Sequence, residues 1–351
     1  MSTAAHPLRV LSFGAGAIGT YVGGSLALQG HAVVFLERPE IAADLRQRGL
    51  CLNLHCREER LPGPSLASTL EEALATGPFD VAIFALKSFD TPGALEDLRP
   101  FADALPPILD LQNGVENEPA LAAAFGPQKV IAGTVTSAIG RRDAGDIVLE
   151  RLRGIGVAAG HSLSTRLVSE LNAAGLNARL YPNAAAMKWS KLVTNLLSNA
   201  TSAILDMSPA EIFAHPDLYR LEILQLREAL AVMAAQGIRP VDLPGTPVRL
   251  LAFAVRALPP NISRPLLQRA VGAGRGGKMP SFHIDLHSGR GKSEVDYLNG
   301  AVVRFGERMG IPTPANRLLN ATLLALTAGE IPLDAYRGRP ERLVGGIGDR
   351  G

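Results

Sequence analysis

Apolar residues in the first 180 positions fall into short runs separated by glycine, with helical spacing in the gaps. L-R-V-L-S-F at 8–13 reads as a strand ending at Gly14. Residues 17–28 carry a helical pattern that Gly30 stops, and 31–36 is a second strand. A helix over 41–48 ends at Gly49, a short β region covers 50–60, and 70–75 is helical. D-V-A-I-F-A-L at 80–86 is apolar enough for a strand buried on both faces. A helix at 91–99 and β-rich stretches at 107–111, 130–138, 145–152 and 154–158 follow. Strands alternating with helices predict a mostly parallel sheet covered on both sides. Past Pro182 the pattern turns helical, at 184–200, 208–214, 217–236, 246–258, 263–271, 293–310 and 314–328. This predicts an α/β domain over 7–182, an all-α domain over 183–332, and a flexible tail over 333–351. Glycines at 272–278 read as a loop.

Composition narrows the class. The 351 residues are 47% hydrophobic and 19% charged, which suits a globular chain of two domains. Thirty-five basic against 33 acidic residues leave no field for nucleic acid. The small basic clusters at 151–153 and 275–278 suit loops or a phosphate contact. No 18-residue apolar run predicts a membrane span, and M-S-T-A-A-H-P-L-R-V lacks the apolar core of a secretory signal. Cys51 and Cys56, the only cysteines, would face opposite sides of a strand, so reduced thiols in a cytoplasmic protein are expected.

G-A-G-A-I-G at 14–19 follows a strand and opens a helix, the context in which G-x-G-x-x-G marks a dinucleotide site. Gly14 permits the tight turn, Gly16 the approach of a pyrophosphate, and Gly19 close helix–strand packing, with helix N–H groups facing the phosphates. The second strand ends in Glu37-Arg38. An acid there suits the ribose hydroxyls of NAD, and an arginine the extra phosphate of NADP. Spacing leaves the pair undecided.

W-S-K-L-V-T-N-L-L-S-N at 189–199 sets Lys191, Asn195 and Asn199 four residues apart, within about 80° on one helix. A solvated face is one reading. Asparagine is a poor helix former, however, so a functional stripe is the other.

The ordered segments G-A-G-A-I-G, A-L-K-S, L-Q-N-G-V-E, W-S-K-L-V-T-N-L-L-S-N, P-S-F-H-I-D and S-E-V-D-Y-L-N-G, over about residues 8–328, resemble ketopantoate reductase (2-dehydropantoate 2-reductase). The resemblance implies a Rossmann-type domain followed by a helical domain like the C-terminal domains of 6-phosphogluconate-type dehydrogenases. It implies NADP(H), with NAD(H) left possible by Glu37, and a small 2-keto acid as substrate. Lys191 matches the family's proton donor, and Glu294 the glutamate that assists it. Asn195, Asn199 and Ser281 match substrate-binding positions, and Asn113 one near ribose and substrate. Cofactor contacts are implied for Gly14, Ala15, Gly16, Ala17, Ile18, Gly19, Arg38, Lys87, Asn113 and Glu294. The lysine is chemically apt, since an ammonium both attracts a carboxylate and protonates a developing alkoxide.

Two departures sit where substrate would enter. The stretch from Asp285 to Glu294 is one residue longer than the common spacing, with Ser293 where threonine is usual, and 237–277 is long. They keep open a paralogous reductase of another branched 2-keto acid or carbonyl substrate; a dinucleotide sensor without turnover is the remaining alternative. His283 and His287 have metal-like i, i+4 spacing, but the chemistry needs no metal and none is expected. Trp189 reads as a core anchor. A homodimer is expected by analogy.

Overall fold

The computed structural model describes residues 6–54, 57–275, 279–289 and 291–348. His55, Cys56 and the end of the glycine-rich stretch at 276–278 lie outside the described residues. The chain divides into two compact units, Met1–Lys188 with Leu243–Thr246, and Trp189–Asp242 with Pro247–Gly351. The division falls six residues beyond the expected boundary, inside the helix Ala184–Leu196.

Among the described residues, the first unit holds twelve strands: β1 Arg9–Phe13, β2 Ala32–Leu36, β3 Leu50–Leu54, β4 Arg57–Leu61, β5 Ser65–Ala67, β6 Val81–Phe84, β7 Ile108–Asp110, β8 Val130–Val135, β9 Ala138–Asp143, β10 Asp146–Arg151, β11 Ile155–Ala158 and β12 Ala178–Tyr181. Eight form one sheet in the order β12-β11-β8-β7-β6-β1-β2-β5. Pairings from β5 to β8 are all parallel, while β11 runs antiparallel to β8. Val81–Phe84 is buried at every position, as a strand with helices on both faces requires. From β1 the chain builds outward through β2 and β5, then returns to place β6 on the other side. That reversal is a topological switch point, where the C-terminal ends of β1 and β6 leave room for a ligand.

The remaining strands form a second, four-stranded sheet, β4-β3-β10-β9, so the single sheet expected from the alternating pattern is two. The helices Asn117–Phe125 and Ser164–Ala173 fill stretches that the apolar pattern left without an element.

The second unit is helical. Its core anchors include Trp189, which is buried with its ring edge-on to Phe305 at 5.2 Å. The long helix Pro216–Ala235 buries twelve side chains, charged Glu222 and Glu228 among them. Pro260–Arg275 carries helix into the stretch expected to be a loop; an isolated glycine weakens a helix by only about 1 kcal/mol. The expected flexible tail also needs correcting. It contains the helix Pro340–Gly348, whose Leu343 is fully buried, and Gly338 N–H donates to Leu205 O at 2.8 Å. An apolar anchor and a backbone tie order a segment that its glycine content alone suggested would fray. No described helix is long and apolar enough to cross a membrane.

Candidate active site

The glycine loop has the geometry its spacing predicts. Gly14 has φ +89°, open to glycine without strain. A Cβ on Gly19 would stand 2.2 Å from Gly14 O, so only glycine lets the helix pack this closely on the turn. A Cβ on Gly16 would meet nothing within 4 Å. Its empty flank is the side on which a pyrophosphate needs room. A continuous helical run follows, Ala17–Gly19, a π-helical turn Thr20–Gly24, and Ser25–Leu28. Here the residues fit a dinucleotide.

Ala15 between these glycines is fully buried and its peptide is bonded at both ends. Its N–H donates to Glu37 Oε1 at 2.6 Å. Its carbonyl accepts from Gly145 N–H and from Thr20 Oγ1, each at 2.8 Å. Gly145 lies between β9 and β10, so the second sheet braces the loop. The end of β2 is tied in as well: Gly14 N–H donates to Leu36 O, and Glu37 N–H to Ala67 O, both at 3.0 Å. Glu37 is thus no solvated strand-end charge. Arg38 is exposed at the N-terminus of the helix Pro39–Arg48.

Lys87 and Asn113 follow β6 and β7, on the same C-terminal edge. Lys87 is half-buried and opens the 3₁₀ turn Ser88–Asp90. Asn113 O accepts from Ser88 Oγ at 2.9 Å and Asn117 Nδ2 at 2.7 Å. Gln112 Nε2 donates to Leu86 O and Thr91 Oγ1, both at 2.9 Å. The Q-N-G segment is therefore locked to the A-L-K-S segment through backbone and amide groups.

Beneath this edge lies a buried charge cluster that motif reading missed. Lys188 Nζ stands 2.6 Å from Glu118 Oε1 and 3.8 Å from Asp110 Oδ2, and donates to Gln112 O at 2.6 Å. Burial pushes the Asp110 carboxyl well up, Glu118 adds to the rise, and Lys188 opposes it. Burial works against the Lys188 charge too, but the two carboxylates outweigh it and hold the ammonium above its ordinary range. The available signal was Asp110, an acid ending the apolar strand I-L-D.

In the second unit the polar stripe does not lie on one helix. Ala184–Leu196 ends, Ser198 adopts φ +51°, and a new helix runs Asn199–Leu205. Lys191 and Asn195 sit on the first helix, both half-buried. Asn199 is the first residue of the second. This correction has a defined cause: Glu222, fully buried, accepts from Ser198 N–H at 2.8 Å and from the Thr201 hydroxyl, and a left-handed serine is thereby held in place. The break joins Asn199 to Ser281, its Nδ2 donating to Ser281 Oγ at 3.3 Å and its Oδ1 accepting from Phe282 N–H at 3.0 Å. Ser281 is exposed at the start of the helix Ser281–His287. Glu294 is buried at the N-cap of Val295–Met309.

Asp206, His283 and His287 bring three potential ligand atoms within 4.8 Å of one another. His283 Nε2 lies 2.7 Å from Asp206 Oδ1, and Arg337 Nε 3.1 Å from Oδ2. The His283 hydrogen bond, aided by Arg337, holds the Asp206 carboxyl below the usual aspartate range. A guanidinium on the same carboxylate disfavours a divalent cation there.

The ketopantoate reductase PanE/ApbA family model matches residues 10–159, and its C-terminal counterpart residues 183–327. The 2-dehydropantoate 2-reductases of Pyrococcus horikoshii and Archaeoglobus fulgidus are 26% and 28% identical, over 91% and 92% of this chain and 97% of each of theirs. A PanE/ApbA family ketopantoate reductase from Ralstonia eutropha JMP134 superposes with TM-score 0.77 at 28% identity, covering 92% of this chain and 99% of its own. D-mandelate dehydrogenase, solved with NADH and anilino(oxo)acetate, shares the fold at TM-score 0.74 and 21% identity, over 92% and 99% of the two chains.

Proposed function

Because the chain belongs to the ketopantoate reductase family, we propose that it reduces 2-dehydropantoate to pantoate, a step feeding pantothenate and coenzyme A synthesis. The observation that carries the reading is the glycine loop, turned at Gly14 through a φ that favours glycine, packed shut at Gly19 and clear at Gly16. The bound dinucleotide supplies a hydride to the ketone carbon.

The chain's own residues do the rest. Lys191 attracts the substrate carboxylate and gives its proton to the ketone oxygen as negative charge develops there. Glu294, buried, keeps that ammonium charged and aimed. Asn195 and Asn199 offer uncharged amide donors to the substrate's oxygens, interactions that strengthen as the oxygen becomes an alkoxide. Ser281, held against Asn199, binds the carboxylate. Asn113, whose carbonyl the Ser88–Asn117 network holds, and Lys87 beside that network would contact ribose and substrate.

Another branched 2-keto acid, or a bulkier carbonyl substrate, is the second reading. It is favoured by the helices Val248–Ala257 and Pro260–Arg275 within the long 237–277 segment, and by the extra residue before Glu294.

The test follows absorbance loss of NADPH or NADH with 2-dehydropantoate. Turnover is expected, and Lys191→Ala should lower kcat by about 10²–10⁴-fold. No turnover with either nucleotide removes the substrate assignment. Unchanged kcat in Lys191→Ala removes the proton-donor role.

A further inference from the structure

Glu37, just past the end of β2, has its carboxylate tied to the glycine loop. Its Oε1 takes the Ala15 N–H at 2.6 Å and would lie 3.5 Å from a Cβ on Gly14. The carboxylate therefore lies against the turn whose open side would receive the pyrophosphate. Its root is fixed by the Glu37 N–H bond to Ala67 O and by the Gly14 N–H bond to Leu36 O. The loop cannot easily drift away from it, since the Ala15 carbonyl is held by Gly145 and Thr20. Oε2 carries a longer contact, 3.3 Å from Arg38 N–H.

We propose that this chain selects NADH over NADPH and that Glu37 is the specificity-determining residue. The proposal rests on reading the glycine loop as a dinucleotide site. A carboxylate is an acceptor with about four lone-pair positions, so Glu37 can keep Ala15 N–H and still accept from a ribose 2′-hydroxyl. A 2′-phosphate offers no proton at neutral pH and adds negative charge beside an existing one, and like charges at close range cost affinity. Moving Glu37 aside to admit the phosphate would strand the N–H of a fully buried residue. The opposing group is Arg38, exposed at the N-terminus of the helix Pro39–Arg48, where solvent and salt screen its charge. The geometry thus points away from the NADP(H) preference that the family resemblance and Arg38 implied.

The experiment is calorimetric titration of the full-length protein with NADH and NADPH, in the absence of any keto acid. The wild type is expected to bind NADH at least about tenfold more tightly, a difference of about 1.4 kcal/mol. Glu37→Gln keeps an oxygen for Ala15 N–H but loses the charge. It should hold NADH affinity within a few-fold and strengthen NADPH binding, shrinking the ratio to below about threefold. Glu37→Ala is the control for a purely structural role, which would weaken both nucleotides equally. Arg38→Ala should leave the ratio unchanged. Equal or tighter NADPH binding by the wild type, or a ratio unmoved in Glu37→Gln, overturns the proposal. Binding of neither nucleotide overturns it together with the reading of the loop. Clear discrimination without turnover of 2-dehydropantoate sinks only the substrate assignment.

Discussion

At the scale of single residues, the three loop glycines do different work, and substitution separates them. Gly16 has φ −69° and an open flank, so alanine fits the fold but occupies the space a pyrophosphate needs. Gly16→Ala should leave thermal stability within about 0.5 kcal/mol of wild type while nucleotide affinity falls at least about tenfold. Gly19→Ala drives a Cβ into Gly14 O and should lose both stability and binding. Equal melting points for the two variants, measured by calorimetry, would contradict this division. The backbone geometry at all three glycines is legible in the sequence because the constraint is local: a strand, a turn and a helix within about a dozen residues. Glu37 was legible as a residue but not in its direction, because its partner lies 22 positions away and the bond depends on how the end of β2 meets the turn after β1.

At the scale of elements, most helices and strands fall where apolar spacing puts them; β1, β2 and the helix Leu70–Ala75 lie within a residue or two of the pattern. The largest departure is the break between Ala184–Leu196 and Asn199–Leu205. L-L-S-N-A offers nothing that ends a helix outright. The left-handed serine is stabilised by a carboxylate 24 residues downstream, and no local window contains that information. Glu222→Ala should remove the acceptor of the Ser198 N–H, the Thr201 hydroxyl and the Gln225 amide and lower unfolding free energy by about 3–6 kcal/mol, summing three lost buried bonds. With Asn199 released, KM for the keto acid should rise more than kcat falls. Urea denaturation and steady-state kinetics check the two effects, and an unchanged KM would detach the break from substrate binding.

For the molecule as a whole, buried acids give stability a pH dependence. Glu228 accepts from Ala315 N–H at 2.8 Å and Asn316 N–H at 2.9 Å, capping the helix Pro314–Thr327 with a side chain from Pro216–Ala235. Burial raises its pKa from 4.5 despite those donors. An acid with a raised folded pKa binds more protons folded than unfolded, so stability falls as pH rises from about 4.5 through the folded value. Glu228→Gln should remove that slope. The difference between variant and wild-type melting curves over pH 4 to 8 reports it, and a flat difference would deny Glu228 the effect. Lys188, Asp110 and Glu118 form a second buried network whose members come from three separate stretches of chain.

The amino-acid order alone determined the class of fold, the dinucleotide loop and the polar residues available for chemistry, because periodicity, turn glycines and residue type act over a few positions. Only the tertiary structure decided where the Lys191–Asn199 stripe breaks, which way Glu37 points, which carboxylates sit beside Lys188, and that the chain past 333 is anchored by Leu343. Each of these depends on hydrogen bonds, charge contacts or burial between residues distant in sequence, whose meeting is fixed only when the elements pack.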